Sequence, residues 1–174
     1  GDVDQDDLER IIKENTSEID GKVVCKIAGM MLTYPSTLGL PDKGILQTAE
    51  RLHNAGALLY GDGANTNAIM GRVTFGALGF DIVHVNTHKA WSTPHGGGGP
   101  GAGPVSVAEH LVDFLPGPIV VKEGNNYKFE MPEKSVGRMG KWYGNFGVLS
   151  RALPYILTMG EEGLRFASGV AVLL

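Results

Sequence analysis

The stretch "MMLTYPSTLGLPDKGILQTAERLHNAGALLYGDGAN", residues 30–65, decides the fold because two apolar runs flank an amphipathic segment. The middle segment carries apolar residues at helical spacing, which predicts a helix that Asp42 caps and that runs through Ala55. Gly56 stands at the position where glycine commonly ends a helix. The order of strand, loop, helix and strand is typical of a parallel α/β sheet.

The flanking segments extend this pattern in both directions. Residues 22–33, "KVVCKIAGMMLT", form a nearly continuous apolar run and predict one strand that is buried on both faces of the sheet. Residues 81–85, "DIVHV", predict the strand that follows the one ending at Asp62. Residues 4–15 place three apolar side chains on one face behind acidic residues, which predicts an amino-terminal helix.

The last third of the chain has a different pattern. Two alternating runs flank residues 124–126 and predict a hairpin. The segment 142–160 predicts a helix that Pro154 kinks and that stops at Gly160. We therefore divide the chain into residues 1–118, an α/β part, and residues 119–174, a hairpin with helices.

Composition excludes several classes of protein. A chain of 174 residues suits one domain, and the net charge of -4 without a basic block argues against nucleic acid as a partner. No apolar run approaches membrane-spanning length. Cys25, the single cysteine, lies in an apolar run and predicts a buried thiol in a reducing cytoplasm. Because the chain lacks a starting methionine and ends in an uncapped helix pattern, we expect it to be cut at both ends.

Three polar segments follow predicted strands, and ligands bind at the carboxyl ends of the strands of such sheets. They are Thr33 with its loop, Asp62, and residues 86–89. A carboxylate and an amine in one pocket suit pyridoxal 5'-phosphate (PLP), which needs a lysine for its aldehyde and a carboxylate for its ring nitrogen. Asp62 and Lys89 could fill these roles, and His88 could donate to the phosphate or ring.

A glycine-rich segment follows this lysine. Residues 96–99 and Gly101 would let the backbone approach a bulky cofactor closely beside Lys89. Three of these glycines also match the GxGxxG pattern of dinucleotide sites. That match is weak because the run contains Pro100 and opens no helix.

Simpler interpretations of the polar residues remain open. Lys89 could be an ordinary surface lysine, and Asp62 could cap a helix that opens at Ala64. Thr33 and Asn65 could serve only to cap turns.

The histidines raise a metal site as a further possibility. His84 and His88 lie on either side of a predicted strand end, and no acidic ligand pair accompanies them. A metal site is therefore an unfavourable hypothesis. We predict instead that His84 is a packed core residue.

Four segments resemble a known family. "MLTYPSTLG", "YGDGANTNA", "HVNTHKAWSTPHGGGGPGAGP" and "WYGNFGVLSRALPYILTMGEEGLR" are similar to the glycine decarboxylase, or P-protein, of the glycine cleavage system. The resemblance implies the aspartate-aminotransferase fold of PLP enzymes (fold type I), with Lys89 as the Schiff-base residue and Asp62 at the ring nitrogen. We also expect cofactor contacts from His88, Thr33, Asn65 and Asn86.

The resemblance also implies substrates and partners. These are glycine, the lipoylated H-protein that accepts the aminomethyl group, and another P-protein subunit or the remainder of the same enzyme in an oligomer. In bacteria with a split enzyme, this block belongs to the second subunit. The expected location is the cytoplasm, or the mitochondrion in a eukaryote.

The chain departs from the family in two ways. Thr87 stands where leucine is usual, and Ala90 and Trp91 replace a typical threonine and phenylalanine. Family members are also much longer, so we expect a middle fragment that holds cofactor weakly alone and exposes apolar surface.

Two other function classes remain. The chain could be a structural or interaction module that packs against complementary chains. It could also be another PLP enzyme, such as a different decarboxylase or a desulfurase, although the single, apparently buried Cys25 argues against the desulfurase.

Overall fold

The computed structural model describes residues 1–99, 101–140 and 143–174. The helices of this part are α1 (Gln5–Glu14), α2 (Ile45–Asn54), α3 (Thr87–Ala90) and α4 (Phe146–Leu173). The strands are β1 (Thr16–Ile19), β2 (Lys22–Cys25), β3 (Gly29–Thr33), β4 (Leu58–Gly63), β5 (Ile82–Val85), β6 (Val105–Val107), β7 (Ile119–Glu123) and β8 (Asn126–Glu130). Short 3-10 turns cover Thr66–Ala68, Gly76–Leu78 and Glu109–Phe114.

A four-stranded sheet in the order β3-β4-β5-β6 forms the centre of the α/β part. The first three strands are parallel, and β6 runs antiparallel at one edge. Thr33 pairs with Asp62, and Asp62 pairs with His84, so the carboxyl ends of the three parallel strands meet at one edge. The predicted strand, loop, helix and strand unit is confirmed.

The hydrophobic core lies on one face of this sheet. Helix α2 packs there through its predicted apolar stripe, and the predicted stop residue Gly56 has a φ of 76°. Asp42 accepts a hydrogen bond from the backbone N–H of Gly44, the residue that precedes α2. The buried members of the core are Leu8, Tyr34, Ile45, Ala49, Leu52, Ala57, Leu59 and Phe80.

The other face of the sheet is only partly covered in the described residues, and we call it the open face. Strand β4 alternates between buried and half-buried residues, with Leu59 towards the core and Tyr60 on the open face. Met31, the partner of Tyr60 on β3, is 59% exposed. The expectation that the strand predicted over residues 22–33 is buried on both faces is therefore wrong for the described chain, whereas the expected exposed apolar surface is confirmed.

The predicted single strand over residues 22–33 is also wrong. Strand β2 pairs antiparallel with β1 in a separate two-stranded sheet, and β3 begins only at Gly29. Val23 on β2 is 80% exposed and Cys25 is half-buried, so this apolar run does not enter the core as one element. Apolar character alone cannot distinguish one long strand from two short strands in different sheets.

The predicted hairpin and the helix break are confirmed. Strands β7 and β8 pair antiparallel about a turn in which Gly124 has a φ of 62°. Helix α4 begins at Phe146 and is interrupted at Gly160, which has φ 59° and ψ -173°. Trp142, the expected start of this helix, lies outside the described residues. Across the described part of the chain, no helix combines the length and apolar character needed to cross a membrane.

Candidate active site

Thr33 and Asp62 lie side by side at the carboxyl edge of the sheet. The Thr33 hydroxyl donates a long hydrogen bond of 3.4 Å to Oδ2 of the Asp62 carboxylate. Oδ1 of the same carboxylate accepts from the backbone N–H of Ala64 at 2.9 Å. Asp62 therefore does cap the turn that follows β4, although the first regular element there is the 3-10 turn Thr66–Ala68. Capping occupies one oxygen and leaves the other only weakly bound.

His84 is the third member of this group, and the prediction that it is a packed core residue is wrong. It lies beside Asp62 on the open face, where its Nε2 is 3.1 Å from Oδ1 of Asp62. Its Nδ1 is 2.8 Å from the hydroxyl of Tyr60, two residues before Asp62 on β4. Its pairing with Asp62 depends on the register between two strands that are distant in sequence, so no local pattern could have revealed it.

The predicted cofactor residue Asn65 holds the loop after β3. Its side-chain amide donates to the carbonyls of Pro35 at 3.0 Å and Ser36 at 2.8 Å. Tyr34, at the start of this loop, donates its backbone N–H to the Asp62 carbonyl at 3.1 Å. Burial raises the pKa of the Tyr34 phenol, and the Asp42 carboxylate adds to this effect. Asn65 thus fixes the loop against the site.

Lys89 lies on α3, directly after β5 and therefore at the same edge of the sheet as Asp62. Its backbone N–H donates to the carbonyl of Asn86 at 3.0 Å, which closes the turn that carries the lysine. The Lys89 side chain is exposed, and among the described residues its amine makes no hydrogen bond or ion pair. No direct bond links it to Asp62. The amine is thus available to react with a ligand from solvent.

His88 is half-buried beside the glycine-rich segment. Its Nδ1 is buried and has no hydrogen-bond partner among the described residues, whereas its ring lies 5.1 Å from the ring of His95. A Cβ at Gly101 would stand 3.2 Å from the same Nδ1, so the backbone approaches His88 closely there. Gly97 has a φ of 71° and open space around it, which agrees with the predicted need for positive φ in this segment. Pro100 lies outside the described residues.

A pair of buried threonines ties the lysine turn to the segment that returns after the glycines. Thr93 donates its hydroxyl to Oγ1 of Thr87 at 2.8 Å, and Thr87 donates in turn to the carbonyl of Ala102 at 3.1 Å. Both side chains are almost fully buried. The polar side chain of Thr87, where the resemblance implies leucine, is therefore accommodated by hydrogen bonds.

A second cluster of ionisable side chains lies at the amino ends of the parallel strands, on the side of the sheet opposite Asp62 and Lys89. The buried Asp81 carboxylate contacts Nε2 of His53 at 2.9 Å and Nε2 of His110 at 3.5 Å. It also accepts the backbone N–H of Leu59 at 2.7 Å, so it joins α2, β4 and β5. Within residues 1–99, 101–140 and 143–174, no group of three or more His, Cys, Asp and Glu is arranged to hold a metal ion.

Sequence comparison relates the chain to bacterial proteins of one kind. It is 54% identical over 173 residues, 99% of its length, to the probable glycine dehydrogenase (decarboxylating) subunit 2 of Thermotoga maritima. It is 51% identical over 174 residues to the protein of the same description from Staphylococcus aureus. The chain spans about a third of the length of these curated relatives, 34% and 33% respectively. No protein-family model matches the chain.

Comparison of structures confirms the fold. A crystal structure of glycine decarboxylase (P-protein) of the glycine cleavage system, in inhibitor-bound form, superposes on 80% of this chain and 34% of its own, with a TM-score of 0.61 and 23% identity. An apo structure of cysteine desulfurase from Thermococcus onnurineus covers 94% of this chain and 37% of its own, with a TM-score of 0.56 and 21% identity. The fold is thus a partial large domain of the aspartate-aminotransferase type (fold type I), as predicted.

Proposed function

We propose that this chain, which is a relative of the glycine dehydrogenase (decarboxylating) subunit 2 proteins along its whole length, carries the lysine-bearing part of a PLP site for glycine decarboxylation. The observation that carries the proposal is the amine of Lys89, which has no partner among the described residues and lies at the sheet edge where the Asp62 carboxylate also lies. A lysine and a carboxylate at one edge supply the two groups that PLP requires of a protein.

The described residues fit this cofactor. His88 offers a buried ring nitrogen without a partner, and Gly101 keeps the backbone close to that nitrogen where a side chain would intrude. Asp62 keeps Oδ2 weakly engaged, which leaves an acceptor for a protonated ring nitrogen. When bound, PLP supplies an electron sink for the electrons released as glycine loses carbon dioxide.

Each predicted residue then has a separate task. Lys89 holds the cofactor through its amine, and Asp62 faces the ring nitrogen. His88 contacts the cofactor through its unpartnered nitrogen. Thr33 orients Oδ2 of Asp62 through its hydroxyl.

The two asparagines have less direct tasks. Asn65 holds the loop after β3 and contacts the cofactor from there. Asn86 closes the lysine turn through its backbone carbonyl. Its side chain makes no capping hydrogen bond to α3 in the described structure, and it contacts the cofactor.

The partners belong to the same proposal. Glycine is the substrate, the lipoyl arm of the H-protein accepts the aminomethyl group, and another P-protein subunit completes the oligomer. Glycine as substrate draws on the descriptions of the relatives and on the glycine decarboxylase whose fold the chain shares, whereas the H-protein and the second subunit are what the family resemblance implies. The cytoplasmic location and the division at residue 118 stay predictions.

The test uses the complete natural polypeptide together with its partner subunit. Addition of PLP, reduction with borohydride and peptide mapping should place the cofactor on Lys89, and carboxyl-labelled glycine should release labelled carbon dioxide. Lys89→Ala should abolish both the trapped label and the release, because it removes the amine that the proposal assigns to the cofactor. Lys122→Ala, at an exposed lysine on β7, should change neither. Label that persists in Lys89→Ala would contradict the proposal.

A further inference from the structure

Tyr60, Asp62 and His84 form a connected row on the open face of the sheet. Tyr60 and Asp62 are two residues apart on β4, and His84 is the register partner of Asp62 on β5, so the three side chains share one face. The contacts run from the Tyr60 hydroxyl to Nδ1 of His84 at 2.8 Å, and from Nε2 of His84 to Oδ1 of Asp62 at 3.1 Å.

The direction of donation in this row follows from the chemistry of its groups. An ionised carboxylate only accepts hydrogen bonds, so Nε2 of His84 must carry the hydrogen that points at Asp62. In a neutral imidazole the other nitrogen is then an acceptor, and the Tyr60 hydroxyl donates to it. Tyr60 therefore selects the tautomer and ring orientation of His84 that allow donation to Asp62.

The two oxygens of Asp62 are consequently unequal. Oδ1 accepts from both Ala64 N–H at 2.9 Å and His84 Nε2 at 3.1 Å. The contact that the structure shows for Oδ2 is the long 3.4 Å bond from the Thr33 hydroxyl. A donor added to the site finds its open acceptor on Oδ2.

We propose that His84, oriented by Tyr60, is a positioning residue that holds Oδ1 and reserves Oδ2 of Asp62 for the protonated ring nitrogen of PLP. The inference rests on the proposed function and adds two residues to it. Donation from His84 to Oδ1 holds the carboxylate with Oδ2 as the acceptor for the ring nitrogen, and an acceptor held there favours the protonated ring. A neighbour that only packed against Asp62 would not affect that protonation.

The test compares His84→Leu, His84→Gln and Tyr60→Phe with the unmodified protein, in the complete polypeptide with its partner subunit. PLP labelled with ¹⁵N at the ring reports ring-nitrogen protonation by its NMR shift, and a titration gives the PLP dissociation constant. His84→Leu should weaken PLP binding about tenfold or more and shift the ring signal towards the unprotonated form. His84→Gln, which can still donate to Asp62, should restore part of both.

Tyr60→Phe keeps the ring shape and removes only the donor to His84, so it provides the decisive variant if His84→Leu does not fold. It should move the ring signal in the same direction by a smaller amount. His53→Gln, on the histidine that contacts Asp81 at the amino ends of the parallel strands, is the matched control and should leave both readouts unchanged.

The outcomes separate the two proposals. If the unmodified protein does not trap PLP on Lys89, the proposed function and this inference both fail. If it traps PLP but folded Tyr60→Phe and His84→Leu keep normal affinity and ring protonation, this inference alone is overturned.

Discussion

Gly63, the last residue of β4, shows how tightly single positions are packed beside the site. A Cβ there would stand 2.3 Å from the backbone carbonyl oxygen of His84 and 2.8 Å from Oγ1 of Thr66. Backbone of a paired strand yields less easily than the end of a side chain, so Gly63→Ala should lower the free energy of unfolding by about 1–3 kcal/mol. Denaturant titration of the complete protein measures this change.

The control for this residue is Gly76, where a Cβ would meet nothing within 4 Å. Gly76→Ala should change the free energy of unfolding by less than about 0.5 kcal/mol. Equal effects of the two substitutions would show that the close backbone approach at Gly63 does not affect stability. At the residue scale, therefore, the site depends on the absence of a side chain next to His84.

At the scale of elements, α3 is held in place by hydroxyl groups. Thr87→Val removes the acceptor that Thr93 uses and leaves a buried hydroxyl without a partner, which should cost about 1–3 kcal/mol of unfolding free energy. Thr93→Val removes one bond and its donor together and should cost only about 1 kcal/mol. The double substitution should cost little more than Thr87→Val alone, because the two hydroxyls act as one unit.

Chemical denaturation of the four proteins in this double-mutant cycle gives the coupling. Thr158→Val, at an exposed threonine on α4, serves as the control and should lie within about 0.5 kcal/mol of the unmodified protein. If the changes in unfolding free energy of Thr87→Val and Thr93→Val simply added, the two hydroxyls would not act as one hydrogen-bonded unit. The element that presents Lys89 would then be held by its backbone bonds to Asn86 and Ala102.

At the scale of the whole molecule, Gly160 redirects α4 so that its second half meets the turn after β4. A Cβ at Gly71 would lie 3.0 Å from Cβ of Arg165, and Arg72 donates to the Arg165 carbonyl at 3.4 Å. The φ of 59° and ψ of -173° at Gly160 are almost exclusive to glycine. Gly160→Ala should therefore lower the free energy of unfolding by about 1–3 kcal/mol, as measured by thermal or chemical denaturation.

Gly163 provides the matched position within the second half of the same helix. A Cβ there would lie 3.2 Å from Cβ of Met159 in otherwise helical backbone, and alanine favours helices over glycine, so Gly163→Ala should change the free energy of unfolding by less than about 1 kcal/mol. If Gly160→Ala were as stable as Gly163→Ala, the stability of the protein would not depend on the bend at Gly160. The contact between α4 and residues 71–72 should also become more open to proteolysis in Gly160→Ala.

Local patterns in the sequence determined those helices and turns whose formation depends only on residues within the same segment. Helix α2 follows from the spacing of its apolar side chains and from Gly56 at its end, and the hairpin follows from its turn at Gly124. The placement of Asp62 and Lys89 after successive strands is equally local. These predictions succeeded because periodicity and positive φ are properties of short segments.

Only the tertiary structure decided which residues meet across strands. The sheet separates β2 from β3, brings His84 and Tyr60 to Asp62, and directs the Asn65 amide to the loop after β3. Each of these contacts joins residues from different elements, and strand register with the competition among hydrogen-bond partners sets it. The sequence could thus predict which chemical groups follow the strand ends, whereas their hydrogen-bonded arrangement required the folded chain.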